Sequence, residues 1–338
     1  MDSSAVPAEY TAFRVAFEND RVTRSVTTLR SDSLPDGDVT VRVEYSALNY
    51  KDALSATGNR GVTRTYPHTP GIDAAGTVLT STDPRFAAGA SVICTGYELG
   101  MSVAGGFGQL IRVPGDWLVP IPNGLTTRSA MVLGTAGITA ALSVDRLRSV
   151  SAGPDLGPFV VTGASGGVGS VATALLHRAG YTVLASTGKE RAHAFLMRLG
   201  AAKVIAREEL SRPSDKQLQR AVYGGGIDSV GGRTLVNLIN STVPGGAVAA
   251  CGLVSGVDLP ANIFPFILRG VALLGVDSQH VQHADRLRLW GELSHAWLAG
   301  TFEPLAAAVT EVGLHELDDK VDEILAGAVM GRVVVRID

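Results

Sequence analysis

The chain has 338 residues, 46% of them hydrophobic and 18% charged, with a formal net charge of −3. That length suggests about two domains, and the composition supplies a sizeable core, which excludes a disordered chain. Basic and acidic residues are interspersed without a basic stripe, which argues against nucleic acid as the main partner, so any anion site must be local.

In chain order, the N-terminal stretch MDSSAVPAEYTAFRVAF lacks a basic region followed by an apolar run, so no signal peptide is expected. The first part then reads as short strands and turns. DVTVRVEYSAL (Asp38 to Leu48) alternates polar and apolar residues as a half-buried strand does. AAGTVLTS and ASVICTG look similar and are bounded by Gly and Pro. From Gly134 the pattern turns helical in GTAGITAALSVDRL. Strands and helices then alternate: PFVVTG, VGSVATALLHRAG, YTVLAS, KERAHAFLMRLG, AKVIA, IDSV, GGRTLVNLINST and GAVAACG. Such alternation predicts an α/β unit, a parallel sheet with crossover helices.

FPFILRG and VALLGVDS follow, then a long helix from about Gln282 to Leu298, a shorter one from His315 to Ala326 and a last strand, GRVVVRID. No apolar run reads as long enough to cross a membrane. Cys94 and Cys251 are too few for a disulfide framework or a structural zinc site and read as small buried hydrophobes. A reduced, cytoplasmic protein is the expectation.

VVTGASGGVG (Val160 to Gly169) follows a predicted strand and opens a predicted helix, the context that a dinucleotide fingerprint requires. Gly163 and Gly166 allow a tight turn and close approach of a ligand, and Gly169 allows helix and strand to pack closely. With Ser165, Gly167 and Val168 they form a turn whose free N–H groups face a pyrophosphate at the helix start. The alternative is a structural glycine turn. At the end of the second strand an NAD site carries Asp or Glu for the ribose 2′-OH. This chain reads Ser186-Thr187-Gly188-Lys189 there. Hydroxyls and an ammonium suit a 2′-phosphate through charge-assisted hydrogen bonds, which favours NADPH. Arg207, beyond the third strand, can reach the same edge. Lys189 can equally be a surface lysine at a helix start.

Catalytic zinc needs Cys, His or carboxylate ligands in combination. Where a zinc-type chain carries a His-Glu pair, this one reads Pro70-Gly71-Ile72-Asp73. His280 and His283 have no third ligand nearby in sequence and read as a solvated helix or loop. No metal is expected.

LNYKDALSATG (Leu48 to Gly58), PGIDAAGTV (Pro70 to Val78), GTAGITA, VVTGASGGVGS, ACGLVSG and FPFILRGVALLGVDS (Phe264 to Ser278) resemble the zinc-free medium-chain dehydrogenases/reductases. The match is to their acryloyl-CoA reductase branch, often labelled quinone-oxidoreductase-like. It spans nearly the whole chain. The resemblance implies a GroES-like, β-rich catalytic domain from residues 1–125 and 262–338, with a Rossmann doubly wound parallel-sheet domain from 126–261. It also implies NADPH-dependent reduction of the C=C bond of an α,β-unsaturated acyl-CoA.

That reaction must stabilise an enolate and supply one proton. Tyr50 is the candidate for nicotinamide contact and for the proton, Asn49 for donation to the carbonyl, and Asp52 for local geometry. Asn49 to Asp52 equally read as a capped helix start. By resemblance, Ser165 to Val168, Thr187 to Lys189, Arg207, Leu253, Ile267 and Ser278 match cofactor-contacting positions. Arg60 and Arg64 can meet the phosphates of a coenzyme A carrier or stand as surface arginines. Glu98 to Ala104 departs from the branch, which usually shows His and Trp there, and this reshapes the mouth of the acyl pocket. A quinone or enone reductase and a non-catalytic NADPH-binding sensor are the competing readings. The apolar segment Phe264 to Val276 suggests a homodimer through an edge strand.

Overall fold

The computed structural model describes residues 6–19 and 21–338. Met1 to Ala5, part of the stretch expected to lack a signal peptide, lie outside the described residues. The chain divides into two compact units. Unit 1 is Met1–Thr135, Gln279–His295 and Val309–Asp338; unit 2 is Ala136–Ser278 and Ala296–Ala308.

Unit 1 begins with a long hairpin, β1 (Glu9–Glu18) and β2 (Arg21–Arg30), paired antiparallel in continuous register. Next come β3 (Val39–Leu48), α1 (Tyr50–Ala56), β4 (Asp73–Ser81), β5 (Ser91–Thr95), β6 (Leu110–Val113) and β7 (Leu118–Pro120). Valines at alternate positions of β3, Val39, Val41 and Val43, enter one core with Val78, Val92 and Ile111 from the neighbouring strands.

α2 (Thr127–Ser149) starts seven residues before the helical pattern that begins at Gly134 and is broken at that glycine, whose φ is 51° and ψ −152°. It is also long and apolar enough to cross a membrane by composition, contrary to the sequence expectation, but 83% of its apolar window is buried within the protein. The apolar residues there pack inward, as in a core helix.

Unit 2 continues with β8 (Phe159–Val161), α3 (Gly167–Arg178), β9 (Val183–Thr187), α4 (His193–Arg198), β10 (Lys203–Ala206) and α5 (Glu208–Ser211). β11 (Tyr223–Asp228), α6 (Gly232–Asn240), β12 (Thr242–Ala250), α7 (Phe264–Arg269) and β13 (Ala272–Gly275) follow. The sheet order is β10-β9-β8-β11-β12-β13 and every pairing is parallel. The chain starts at β8, winds outward to β10, then returns to β11. Such a sheet binds ligands at the carboxyl ends of its strands, where the winding reverses. β13 pairs with β12, so residues 262–278, expected with the first domain, lie in unit 2.

α8 (His283–Leu298), α9 (Glu303–Ala307), β14 (Thr310–Gly313), α10 (Leu317–Leu325) and β15 (Val333–Arg336) complete the chain. β15 returns to pair antiparallel with β3, which joins the two ends of the sequence in unit 1.

In unit 1 a loop from Tyr97 to Phe107 is pinned backbone to backbone. Gly105, Gly106 and Phe107 donate to the carbonyls of Thr69, Gly71 and Pro70. His68, 6% exposed, hydrogen-bonds the Gly100 carbonyl, and its Nε2 has no partner among the described residues. Burial pushes its pKa down from 6.5 to about 4. The folded chain therefore holds His68 neutral over a range in which the unfolded chain protonates it. Its contribution is complete above the unfolded value and is lost as pH falls through about 4. The unfolding free energy of wild type relative to His68→Gln is expected to drop by roughly 3 kcal/mol between neutral and acid pH. Urea denaturation of both proteins across that range checks this; parallel pH curves would contradict it.

Candidate functional site

In unit 2, β8 leads into the glycine turn, which side chains tie to the end of β11. Thr162 Oγ1 donates to Asp228 Oδ1 at 2.7 Å, and Ser229 Oγ donates to the Thr162 carbonyl at 2.9 Å. Asp228 also accepts the Gly231 N–H at 2.6 Å; burial raises its pKa. Gly163 has φ +58°, and a Cβ there would lie 2.5 Å from Ser229 Oγ. A Cβ at Gly169 would collide with the Gly163 carbonyl, so helix and turn pack as closely as the motif predicts. At Gly166 a Cβ would meet the Gly163 carbonyl oxygen alone, at 3.4 Å. The first bond of α3 runs from Ser170 N–H to the Gly166 carbonyl. The N–H groups of Gly167, Val168 and Gly169 are therefore without intrahelical acceptors, and the helix dipole favours an anion before them.

The second strand brings its own group to this turn. The Ser186 carbonyl accepts the Ala164 N–H, and Thr187 Oγ1 donates to Ser165 Oγ at 3.0 Å while accepting the Lys189 N–H at 3.1 Å. Lys189 Nζ lies 3.5 Å from Ser165 Oγ. The Arg207 guanidinium lies over Gly188, where a Cβ would collide with it. Burial, then the charges of Arg191 and Arg207, lower the Lys189 pKa. Three cations thus converge at the end of β9, Arg207 also lying 3.7 Å from Glu208, and such a cluster attracts a phosphate. Arg191 was not among the sequence candidates; its signal is its place two residues after Lys189 on the same turn.

The remaining matched positions divide. Ser278 follows β13 at the carboxyl edge, with its Oγ 2.8 Å from Thr139 Oγ1. Leu253 stands in the segment after β12 at that same edge and is half exposed. Ile267 is on α7, before β13. Arg269 of that helix donates to the carbonyls of Asn240 and Thr242, at the amino end of β12. Ile267 is therefore at the other end of the sheet from the glycine turn within this chain, and it is exposed.

In unit 1, α1 starts directly after β3. Asp52 Oδ2 accepts the Asn49 N–H at 2.8 Å, one half of a capping box, and Oδ1 accepts the N–H groups of Gly71 and Ile72. Asn49 does more than cap. Its Nδ2 donates to Asp73 Oδ2 at 2.9 Å and lies 3.2 Å from both the Ala47 carbonyl and Asp52 Oδ2, and its Oδ1 accepts from Arg332 Nη1 at 3.0 Å. The amide is fully engaged inside the protein, which differs from the expectation that it donates to a substrate carbonyl.

Asp73 accepts Thr135 Oγ1 at 2.6 Å and the Thr135 N–H at 3.0 Å. The break at Gly134 makes this possible, since Thr135 begins the second half of α2 and Asp73 stands at that helix start. Asp52, Asp73 and Arg332 are all buried. Burial, then the Asp73 charge, push Asp52 up to about 7. Burial also raises Asp73, against the Arg332 charge.

Tyr50 is the first residue of α1. It is half-buried, and its hydroxyl makes no hydrogen bond among the described residues. Lys51 Nζ donates to Gln279 Oε1 at 2.8 Å, and Gln279 Nε2 reaches Glu98 at 3.3 Å. Arg60 and Arg64 are exposed; the Arg60 guanidinium lies 4.6 Å from the Phe17 ring centroid and donates to the Arg64 carbonyl. In the divergent loop, Leu99 and Met101 turn inward. Cys94 is buried and Cys251 only partly so; burial pushes both thiols up to about 12. Among the described residues, no three His, Cys, Asp or Glu side chains group as metal ligands.

Residues 35–123 match the alcohol dehydrogenase GroES-like domain family, and residues 167–289 match the zinc-binding dehydrogenase family. The acrylyl-CoA reductase AcuI of Ruegeria pomeroyi is 44% identical over 95% of this chain and 96% of its own. A Bacillus subtilis protein, YhfP, whose name assigns it to the quinone oxidoreductases, is 44% identical over 94% of this chain and 96% of its own. A structure of B. subtilis YhfP with NAD bound has a TM-score of 0.92 at 43% identity, covering 98% of this chain and all of that one. The YhdH oxidoreductase of Salmonella enterica in complex with NADP also gives 0.92 at 43% identity, over 97% of this chain and 100% of that chain. The chain therefore belongs to the medium-chain dehydrogenase/reductase family, in the branch that holds the acrylyl-CoA reductases and their quinone-oxidoreductase-like relatives.

Proposed function

We propose that the protein reduces the C=C bond of an α,β-unsaturated acyl-CoA of the acryloyl-CoA kind, with NADPH as the reductant. Likeness to the AcuI protein over nearly the whole chain carries this reading. The turn of unit 2 fits the cofactor: bare N–H groups and the space at Gly166 suit a pyrophosphate, and Lys189, Arg191 and Arg207 suit a 2′-phosphate. Bound there, the reduced nicotinamide supplies a hydride to the β-carbon. Negative charge then develops on the thioester oxygen and the α-carbon. Tyr50 donates its phenolic proton to the α-carbon and regains one from water, so one enoyl thioester, one NADPH and one proton give the saturated thioester and NADP⁺. Arg60 and Arg64 are the candidates for the carrier phosphates. A cytoplasmic location belongs to this reading.

The likeness to YhfP favours a second reading, a quinone or free enone as acceptor, and the divergent loop Glu98 to Ala104 bears on the same choice. NADPH oxidation against acryloyl-CoA, crotonyl-CoA, a small enone and a quinone separates the two. The expected result is the highest kcat/KM with a short enoyl-CoA; preference for the quinone supports the second reading. Binding of NADPH with no oxidation by any acceptor rejects both and leaves a sensor.

Each candidate residue gives its own test. Loss of one charge-assisted hydrogen bond to a phosphate costs about 1.5–3 kcal/mol, so Lys189→Ala is expected to weaken NADPH roughly 10-fold to 100-fold and NADH little. Equal wild-type kinetics with the two cofactors would contradict the 2′-phosphate assignment. Tyr50→Phe is expected to lower kcat by roughly 10²–10⁴-fold, the range of one general acid, with NADPH affinity little changed. A near-wild-type kcat would reject the acid role. The homodimer reading rests on β13, which ends the sheet, and on exposed Ile263, Ile267 and Leu268 beside it. Light scattering is expected to give twice the chain mass; a monomer mass at micromolar concentration would refute it.

A further inference from the structure

Arg332 stands immediately before β15 and is 3% exposed. Its Nε donates to the Val132 carbonyl at 3.1 Å and its Nη1 to Asn49 Oδ1 at 3.0 Å. Nη2 is buried without a hydrogen bond among the described residues, 3.7 Å from Asp73 Oδ2. A Cβ at Gly134 would lie 3.0 Å from Nη2 and 2.5 Å from Asp73 Oδ2, so glycine leaves the room in which cation and carboxylate face each other. A guanidinium has no acceptor, so it dictates which way the Asn49 amide turns: Oδ1 toward Arg332, Nδ2 toward the two carboxylates.

We propose that Arg332 is a positioning residue for Tyr50: by holding Asn49 Oδ1 it fixes the amide that links Asp52 to Asp73, and so sets the helix start from which Tyr50 projects. The function of Tyr50 rests on the reading given above. The groups that face Asp52 are the Asp73 carboxylate on β4, the Arg332 guanidinium before β15, and the N–H groups of Asn49, Gly71 and Ile72. Asp52 accepts four N–H bonds as a carboxylate, and protonation removes one acceptor position from the cap. With the Asp52 pKa raised to about 7, the helix start is sensitive to pH near neutrality. Loss of the Arg332 charge raises the Asp52 midpoint, and loss of the Asp73 charge lowers it.

The test uses fluorine NMR of the full chain labelled with fluorotyrosine, the Tyr50 resonance being identified by its absence in Tyr50→Phe. In wild type this resonance is expected to move with a midpoint near 7. Arg332→Met is expected to shift it over the whole pH range and to move the midpoint up. Asp73→Asn moves the midpoint down, and Arg332→Lys restores the wild-type midpoint. In parallel, kcat falls roughly 10-fold to 100-fold in Arg332→Met with KM for NADPH unchanged, and Arg332→Lys recovers most of it. A Tyr50 resonance identical in wild type and Arg332→Met at every pH would overturn the proposal. If Arg332→Met does not fold, Arg332→Gln, which keeps an N–H donor without the charge, takes its place, and a Tyr50 resonance and midpoint identical to wild type in that variant overturn it equally. The resonance needs no acceptor, so a wild type that reduces nothing rejects the proposed function while the Arg332 proposal is still decided.

Discussion

A single buried carboxylate organises unit 1. Asp73 lies at the start of β4 with no exposure, and isolated ionised carboxylates do not survive such burial. It is held by the Thr135 N–H and hydroxyl, by Asn49 Nδ2 and by the charge of Arg332. Each donor comes from a different part of the sequence: a helix restarting after a glycine break, a helix cap after β3, and the residue leading into β15. Each of them offsets part of the cost of burying Asp73. Removing one partner of a buried ion pair costs about 3–5 kcal/mol, while the Thr135 and Asn49 donors to Asp73 do not depend on the Arg332 charge. Tyr50 inherits its position from that set.

Unit 2 solves the opposite electrostatic problem by different means. Its glycine turn presents backbone N–H groups that water or an anion must satisfy, and three side-chain cations gather at the end of β9 without a carboxylate among them on that strand. The charge excess is tolerated because it is partly exposed: Arg207 keeps 66% of its side-chain accessibility and pairs with Glu208 at 3.7 Å. One unit thus closes its charges off from solvent, and the other gathers cations at a partly exposed strand end.

The parts of this arrangement that could be read from the sequence are the local ones. Strand, glycine turn and helix fall within about twenty consecutive residues, so the tight turn at Gly163 and the close packing at Gly169 are legible from spacing, and the absence of an acid after YTVLAS is legible there too. The capping box at Asn49 and Asp52 is local as well. Arg332 is 283 residues from Asn49, and no periodicity connects them. The helical pattern is legible only from Gly134 onward, so the helix before that glycine, and hence the break at it, is not; Asp73, which receives the Thr135 N–H there, comes from another part of the fold. The β1–β2 hairpin is hard to read because β2, RVTRSVTTLR, has no fully buried residue and offers only Val22, Val26 and Leu29 to the cores, which are not at a constant two-residue spacing. Ile267 was carried over by resemblance, but α7 precedes its strand, so topology puts it at the amino edge of the sheet.

In the proposed reaction a hydride reaches the β-carbon of an enoyl thioester and a proton reaches the α-carbon. NADPH carrying deuterium at the transferable position of the nicotinamide, turned over with acryloyl-CoA in ordinary water, tests it directly by mass spectrometry and NMR of the acyl product. One deuterium per product molecule is expected, located on the β-carbon, with hydrogen from solvent on the α-carbon. A saturated product without deuterium, or with deuterium on the α-carbon, would contradict it.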